Sequence, residues 1–242
     1  MIPLGISYAS PADYDIASQY QQIWGYPLLT DEQTATIRLH ISDGRIQIIA
    51  PHISRHPYQH SLTPYLQASN LKQHPLRQAI GSKRRNCLIY DLTAGLLKDS
   101  ISLALLGHRV IAVEQHPVIF AISAQAWQAQ QDTHPELALQ LHHAAAEHFM
   151  TQTPTRPDIV YLDPMFPARS KSALVKKPMQ FLQAIIGSGC HDYSTLLEQA
   201  CQYATGKVIV KRPSHGAPLA GRKPAMQYSH QQSTRYDIYY VD

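Results

Sequence analysis

Short unbroken apolar runs alternate along this chain with stretches in which apolar residues recur every three to four positions, the marks of buried strands and of helices packed on them. Runs of the first kind occupy 86–91, 109–114, 137–142, 158–162 and 207–211. Helical spacing occupies 98–107, 117–130, 178–186 and 193–204, and another helical stretch opens at 144–147. Pro117 stands where a first helical turn accepts proline, and Gly107 where a helix stops. Strand and helix in alternation predict an α/β domain with a parallel sheet. The last two runs, 226–229 and 235–241, suit an antiparallel pair closing one edge. At the front, 2–8 reads as strand and 12–24 as helix, while 36–50 alternates apolar with polar about Asp43-Gly44, a dipeptide that favours hairpin turns. From 51 to 86 the chain is rich in proline, histidine, serine and glutamine with little periodicity outside 71–80, and it reads as a linker or laid-down loop. The expected division is a small α/β appendage with its linker, residues 1–82, ahead of a main domain, residues 83–242.

The strand ending at 163 releases its chain abruptly into Asp163-Pro164-Met165-Phe166-Pro167. In open α/β sheets ligands bind beyond the carboxyl ends of strands, so chemistry is expected here. Asp163 and the Pro164 carbonyl only accept hydrogen bonds, Phe166 offers a face for a planar ring, and the prolines stiffen the turn. Those residue types suit the presentation of a nucleobase amine to an electrophile. A second strand ends in Asp91 and turns at Thr93-Ala94-Gly95, and a third ends in Glu114, about 20 residues on, where nucleoside-binding folds place the acid that receives ribose hydroxyls. A dinucleotide would need G-x-G-x-x-G to cradle its pyrophosphate, but here Gly95 is followed by Leu96-Leu97-Lys98. S-Adenosylmethionine carries a ribose and no phosphate, so the pattern favours a methyl donor. Candidate donor-binding residues are Asp91, Gly95, Lys98, Asp99, Glu114, Gln115 and Asp163; candidate catalytic residues are Asp163, Pro164 and Phe166.

Composition narrows the picture less. With 44% hydrophobic and 16% charged residues the makeup is that of an ordinary globule, and a formal charge of +4 leans toward an anionic partner. The cations cluster as Lys83-Arg84-Arg85 before the first main-domain strand, as Arg169, Lys171, Lys176 and Lys177 after the Asp163 turn, and as Lys211-Arg212 at a strand end. These are the candidate contacts to RNA phosphates. No apolar run approaches the ~20 residues that span a bilayer and no basic-then-apolar leader opens the chain, so a cytoplasmic protein is expected. Three cysteines without a CxxC pair suggest neither a disulfide framework nor a zinc site. His52, His56 and His60 recur at helical intervals, but Pro51, Pro57 and Pro64 interrupt any helix there; they read as a polar surface segment, and no metal is expected.

The proline block, followed by Lys171-Ser172-Ala173-Leu174-Val175-Lys176-Lys177, resembles the signature of the bacterial 16S ribosomal RNA guanine-N2 methyltransferases that modify guanine 1516. Asp91-Leu92-Thr93-Ala94-Gly95-Leu96, Val208-Ile209-Val210-Lys211-Arg212-Pro213 and Arg235-Tyr236-Asp237-Ile238-Tyr239 match in the same order, and little upstream of residue 83 does. The resemblance implies a Rossmann-like class I S-adenosylmethionine-dependent methyltransferase sheet, a guanine amine as acceptor, and ribosomal RNA or the small ribosomal subunit as partner. It also implies donor contacts at Ala145 and Ala146, where the family carries serines. Leu97 stands where the family shows glycine, a substitution that would crowd the donor's methionine pocket, and the family's glycine-rich basic loop before residue 83 is missing. Those departures keep a non-catalytic RNA-binding relative in view, and the residue chemistry alone also admits an adenine or cytosine amine as target. Arg235 and Asp237 are expected to form a structural pair.

Overall fold

The computed structural model describes residues 2–30, 35–67, 75–164, 177–187, 193–230 and 234–241. Its strands are β1 (Ile2–Tyr8), β2 (Ala35–Ser42), β3 (Arg45–Ile49), β4 (Leu88–Asp91), β5 (Arg109–Glu114), β6 (Leu139–His143), β7 (Ile159–Leu162), β8 (Lys207–Pro213), β9 (Met226–His230) and β10 (Thr234–Tyr240). Its helices are α1 (Pro11–Trp24), α2 (Thr63–Leu66), α3 (Pro75–Ile80), α4 (Lys98–Leu105), α5 (Pro117–Gln131), α6 (Ala146–Gln152), α7 (Lys177–Ile186) and α8 (Ser194–Tyr203). Two compact units result: one holds the described residues up to 61 with 116–126 and α7, the other the described residues of 62–115, 127–164 and 193–241.

The first unit is built on a three-stranded sheet in the order β1-β2-β3, the first pair parallel and the second antiparallel. Alternate residues of β2 and β3 are buried, including Ile37, Leu39, Ile41, Ile46 and Ile48, so one face packs and the other meets water. The turn between them is Asp43-Gly44, both at positive φ (51° and 69°), as a tight two-residue hairpin turn requires. Asp13 in α1 accepts the Gly44 N–H at 2.9 Å, and Gln125 in α5 brackets the same hairpin through Gly44 O (2.9 Å) and the Ile46 N–H (3.0 Å).

The second unit carries a seven-stranded sheet in the order β6-β5-β4-β7-β8-β10-β9. Strands β6 through β8 run parallel, and β10 and β9 add antiparallel. Ile89, Tyr90, Val110, Ala112, Ile159 to Leu162 and Val208 to Val210 are all within 1% of full burial. That is the near-continuous apolar core of a parallel sheet covered on both faces, each large side chain contributing about 1.5–3 kcal/mol. The chain winds outward from β4 in one direction to β5 and β6 and in the other to β7 and β8, so a crevice opens at the carboxyl ends where the order reverses. Register aligns those ends: Asp91 lies opposite Ala112 and Tyr161, Leu162 opposite Val210, and Tyr236 opposite Lys211. Glu114, Asp163 and Lys211 therefore emerge together on one rim.

Of the two readings of 51–86, the laid-down loop holds for the described residues, since Leu62, Leu76, Ala79 and Ile80 are at most 1% exposed. One reading needs correction. His60 is buried rather than on a polar surface, with its Nδ1 3.0 Å from the Tyr58 hydroxyl. Leu76, Ala79 and Ile80 lie on α3 inside the periodic stretch, whereas Leu62 and His60 are buried outside regular helix or strand, which leaves no periodic trace in sequence. The first main-domain strand also starts two residues later than the apolar run, at Leu88, because Asn86 sits in the left-handed region (φ 51°).

Candidate active site

The turn after β4 is closed by its own hydrogen bonds. Asp91 accepts Ser100 Oγ at 2.6 Å and the Thr93 N–H at 3.2 Å. Burial pushes its carboxyl up to about 7, against the pull of Ser100. Gly95 has φ 52° and donates its N–H to Glu114 Oε2 at 2.8 Å, joining the turn to the end of β5. Backbone conformation rather than space selects glycine here, since an added Cβ would come no nearer than 3.9 Å to any other atom. Ala94 N–H binds Val113 O and Leu97 N–H binds Ala94 O. Four amides of the turn are thus committed to protein acceptors, which leaves a poor cradle for phosphate beside a strand-end carboxylate suited to ribose hydroxyls. The donor set fits a nucleoside sulfonium better than a dinucleotide.

Leu97 is also left-handed (φ 61°) and fully buried. Its side chain therefore lies in the interior and does not crowd an open pocket; the cost of lacking glycine is in the backbone, about 1 kcal/mol. Lys98 is exposed, whereas Asp99 beside it in the first turn of α4 is buried. Gln115 is exposed, with its carbonyl 3.2 Å from His143 Nε2. Ala145 is the N-cap of α6 and Ala146 its first residue, and no side chain caps that helix. A serine at 145 would supply that cap, so what alanine forfeits here is helix-terminal hydrogen bonding.

At the end of β7 the Asp163 N–H donates to Thr93 Oγ1 at 2.6 Å, and Asp163 keeps a third of its side chain exposed. Pro164 next to it is buried. Lys211, the neighbour across the β7–β8 register, donates to Asp163 Oδ2 at 2.7 Å and to Asp99 Oδ2 at 2.6 Å. Tyr161 donates its hydroxyl to the same Asp99 oxygen at 2.6 Å. Burial works to raise the Asp99 carboxyl, but the Lys211 ammonium overrides it and holds the group below its ordinary value. Burial also opposes the Lys211 charge, and Asp99 with Asp163 holds it well above the usual lysine range. For Asp163 burial prevails over Lys211 and raises the carboxyl.

The structure thus brings Asp91, Gly95, Glu114, Asp99, Asp163 and Lys211 to one rim. Lys83, Arg84 and Arg85 are exposed ahead of β4, at the opposite ends of the strands, where Arg85 binds the carbonyls of Ser82 and Arg84. Arg212 bonds Ala217 O through Nε and Nη2. Lys177 is exposed at the start of α7. Phe166, Arg169, Lys171 and Lys176 lie outside the described residues. Thr93, Ser100 and Tyr161 complete the site and were not anticipated; the one trace of them in sequence is a hydroxyl-bearing tyrosine inside the otherwise aliphatic Ile-Val-Tyr-Leu run. Among the described residues no group of three His, Cys, Asp or Glu is placed to hold a metal, and no helix is long and apolar enough to cross a membrane.

Five parallel strands closed by an antiparallel pair, with a glycine turn tied to a strand-end acid at the switch point, define a Rossmann-like class I methyltransferase. Comparison with known proteins makes this specific. The family model described as putative SAM-dependent methyltransferase matches residues 31–241. A ribosomal RNA small subunit methyltransferase J from Alkalilimnicola ehrlichii is 41% identical over 182 residues, 72% of this chain and 69% of that protein. One from Neisseria meningitidis is 43% identical over 158 residues, 62% of each chain. The crystal structure of a SAM-dependent methyltransferase from Neisseria gonorrhoeae aligns with a TM-score of 0.72 and 26% identity, covering 98% of this chain and 95% of that one. The chain belongs to the SAM-dependent methyltransferase family represented by these small-subunit methyltransferases J, and S-adenosylmethionine is its cofactor.

Proposed function

We propose that this protein methylates N2 of a guanine in small-subunit ribosomal RNA, guanine 1516 by family resemblance, and does so in the cytoplasm on ribosomal RNA or the small subunit. Membership of the family supports S-adenosylmethionine-dependent methylation of ribosomal RNA; the guanine amine is the finer reading. One observation carries it: a carboxylate held at the end of β7 by Lys211 and Thr93, a third exposed, on the rim that also bears Gly95 and Glu114.

Bound S-adenosylmethionine supplies a methyl group on a positive sulfur. The chain must then present a poor nucleophile, because the lone pair of an exocyclic amine is delocalised into its ring. Asp163, through the oxygen that Lys211 does not bond, and the Pro164 carbonyl accept the two N–H bonds and favour a pyramidal nitrogen whose lone pair faces the methyl. Asp163 also receives the proton released after transfer. Flipping the base out of its stack costs a few kcal/mol, and stacking on Phe166 offsets about 1–3 of these.

The test is to incubate the protein with labelled donor and undermodified small subunits or free ribosomal RNA and digest to nucleosides. Label in N2-methylguanine is expected; label in N6-methyladenine or a methylated cytosine overturns the guanine reading, and no label in RNA overturns the enzymatic one.

A further inference from the structure

We propose that Lys211 is a positioning residue for Asp163: clamped between Asp99 and Asp163, it fixes the acceptor carboxylate in place and favours its ionised form beside a second buried acid. The inference rests on the amine-accepting role given to Asp163 above. It also removes Lys211 from the candidate phosphate contacts.

A lysine that binds phosphate must keep its N–H donors free for it. This one commits two of its three N–H donors to carboxylates at 2.6 and 2.7 Å, and a fifth of its side chain is exposed. Asp99 is locked in turn by the Tyr161 hydroxyl, so the clamp runs Tyr161, Asp99, Lys211, Asp163 and ties α4, β7 and β8 together at the rim. Thr93 Oγ1 fixes the backbone of Asp163 and Lys211 fixes one oxygen of its carboxylate. Between them they remove the rotations that would blur the acceptor's aim.

Electrostatics gives the clamp a second consequence. Two carboxylates sharing one ammonium tolerate both negative charges; without it, one of them takes up a proton. The groups facing the pair are Lys98 from α4, Asp91 from β4, Tyr65 from α2, Tyr161 from β7 and Tyr236 from β10. Burial holds the three tyrosines above their ordinary values, so they stay neutral near pH 7. Lys211, the cation hydrogen-bonded to both acids, therefore decides whether Asp163 can accept.

The experiment follows the carboxyl carbon of Asp163 by NMR against pH in the full chain without donor or RNA, alongside the pH profile of kcat/KM for methyl transfer. In Lys211→Met, the Asp163 midpoint and the acid limb are expected to move up together by about one pH unit or more. In Lys211→Met/Asp99→Asn, with the rival charge gone, both should return by at least half that shift, and KM for RNA should change less than threefold in either variant. Asp99→Asn alone keeps Lys211 and is expected to move both midpoints down, which preserves the test if the methionine variant does not fold. Midpoints unmoved in Asp99→Asn, or a tenfold rise in KM for RNA with kcat intact in Lys211→Met, would overturn the proposal, the second in favour of a phosphate contact. The NMR midpoint is independent of which nucleoside carries the label, so failure of the guanine reading and failure of the clamp are told apart.

Discussion

Lys207 and Lys211 lie four residues apart on β8, at opposite edges of the same sheet, and both are largely withdrawn from water. At the amino edge Lys207 donates to Ala79 O at 2.7 Å, and its ammonium lies 5.8 Å from the centre of the Tyr240 ring. Burial, and then the nearby Arg84 charge, push it down to about 8. At the carboxyl edge burial acts the same way, but two carboxylates override it and Lys211 is held well above its ordinary value. One residue type on one strand is therefore shifted in opposite directions, and the difference is the company it keeps. The amino edge ties segments together through a carbonyl; the carboxyl edge gathers two acids, Asp99 and Asp163, about Lys211.

The largest expected effect falls on the charged edge. Asp163→Asn should lower single-turnover methyl transfer about 10²–10³-fold, the range for loss of one preorganised polar group, and a loss under tenfold would place the chemistry elsewhere. Next comes the lysine pair itself. Urea denaturation at pH 7 should show Lys211→Met destabilised by about 3 kcal/mol, because it strands two acids, and Lys207→Met by about 1 kcal/mol, for one lost hydrogen bond. Their pH dependence should also differ. The folded value of Lys207, about 8, lies below its ordinary 10.5, so its contribution is complete above 10.5 and is lost as pH falls through 8. Lys211 is shifted the other way, so its contribution is complete below 10.5 and is lost only as pH rises through its folded value. Between pH 10 and pH 7 the deficit of Lys207→Met should therefore shrink while that of Lys211→Met holds. Parallel curves would break the contrast.

The two edges also differ in backbone. Each carries a left-handed residue that is not glycine, Asn86 before β4 and Leu97 after it. Asparagine adopts that region readily and leucine only at a cost. Leu97→Gly should lose about 3 kcal/mol of burial and regain about 1 from the backbone, a net fall visible in thermal melting, whereas Asn86→Gly should stay within ~0.5 kcal/mol. The smallest effect is a gain: Ala145→Ser, supplying the missing cap of α6, should add about 1 kcal/mol in the same assay.

Much of the architecture was legible in order along the chain. Asp43-Gly44 announced its hairpin, the apolar runs announced β4, β5, β7 and β8, and the residues that end them, Asp91, Glu114 and Asp163, marked the rim. Arg235 and Asp237, two apart on β10, pair through Nε and Oδ1 at 2.8 Å, as adjacency on one strand face allowed. Less legible were groups whose partners are remote. Arg156 closes the carboxyl end of α8 through the carbonyls of Gln202, Tyr203 and Ala204, and nothing local to it points there.

Sequence alone determined which segments are strands, to within a residue or two at their ends, and which of them run out beside an acid, because hydrophobic period and turn chemistry are local properties of a few neighbouring residues. The tertiary structure decided that Lys211 faces Asp99 and Asp163 rather than solvent, that Leu97 turns inward, and that Leu76 and Ile80 complete a core. Those outcomes depend on the register between strands joined by long crossovers, and register is settled by packing over the whole sheet, which no short stretch of residues contains.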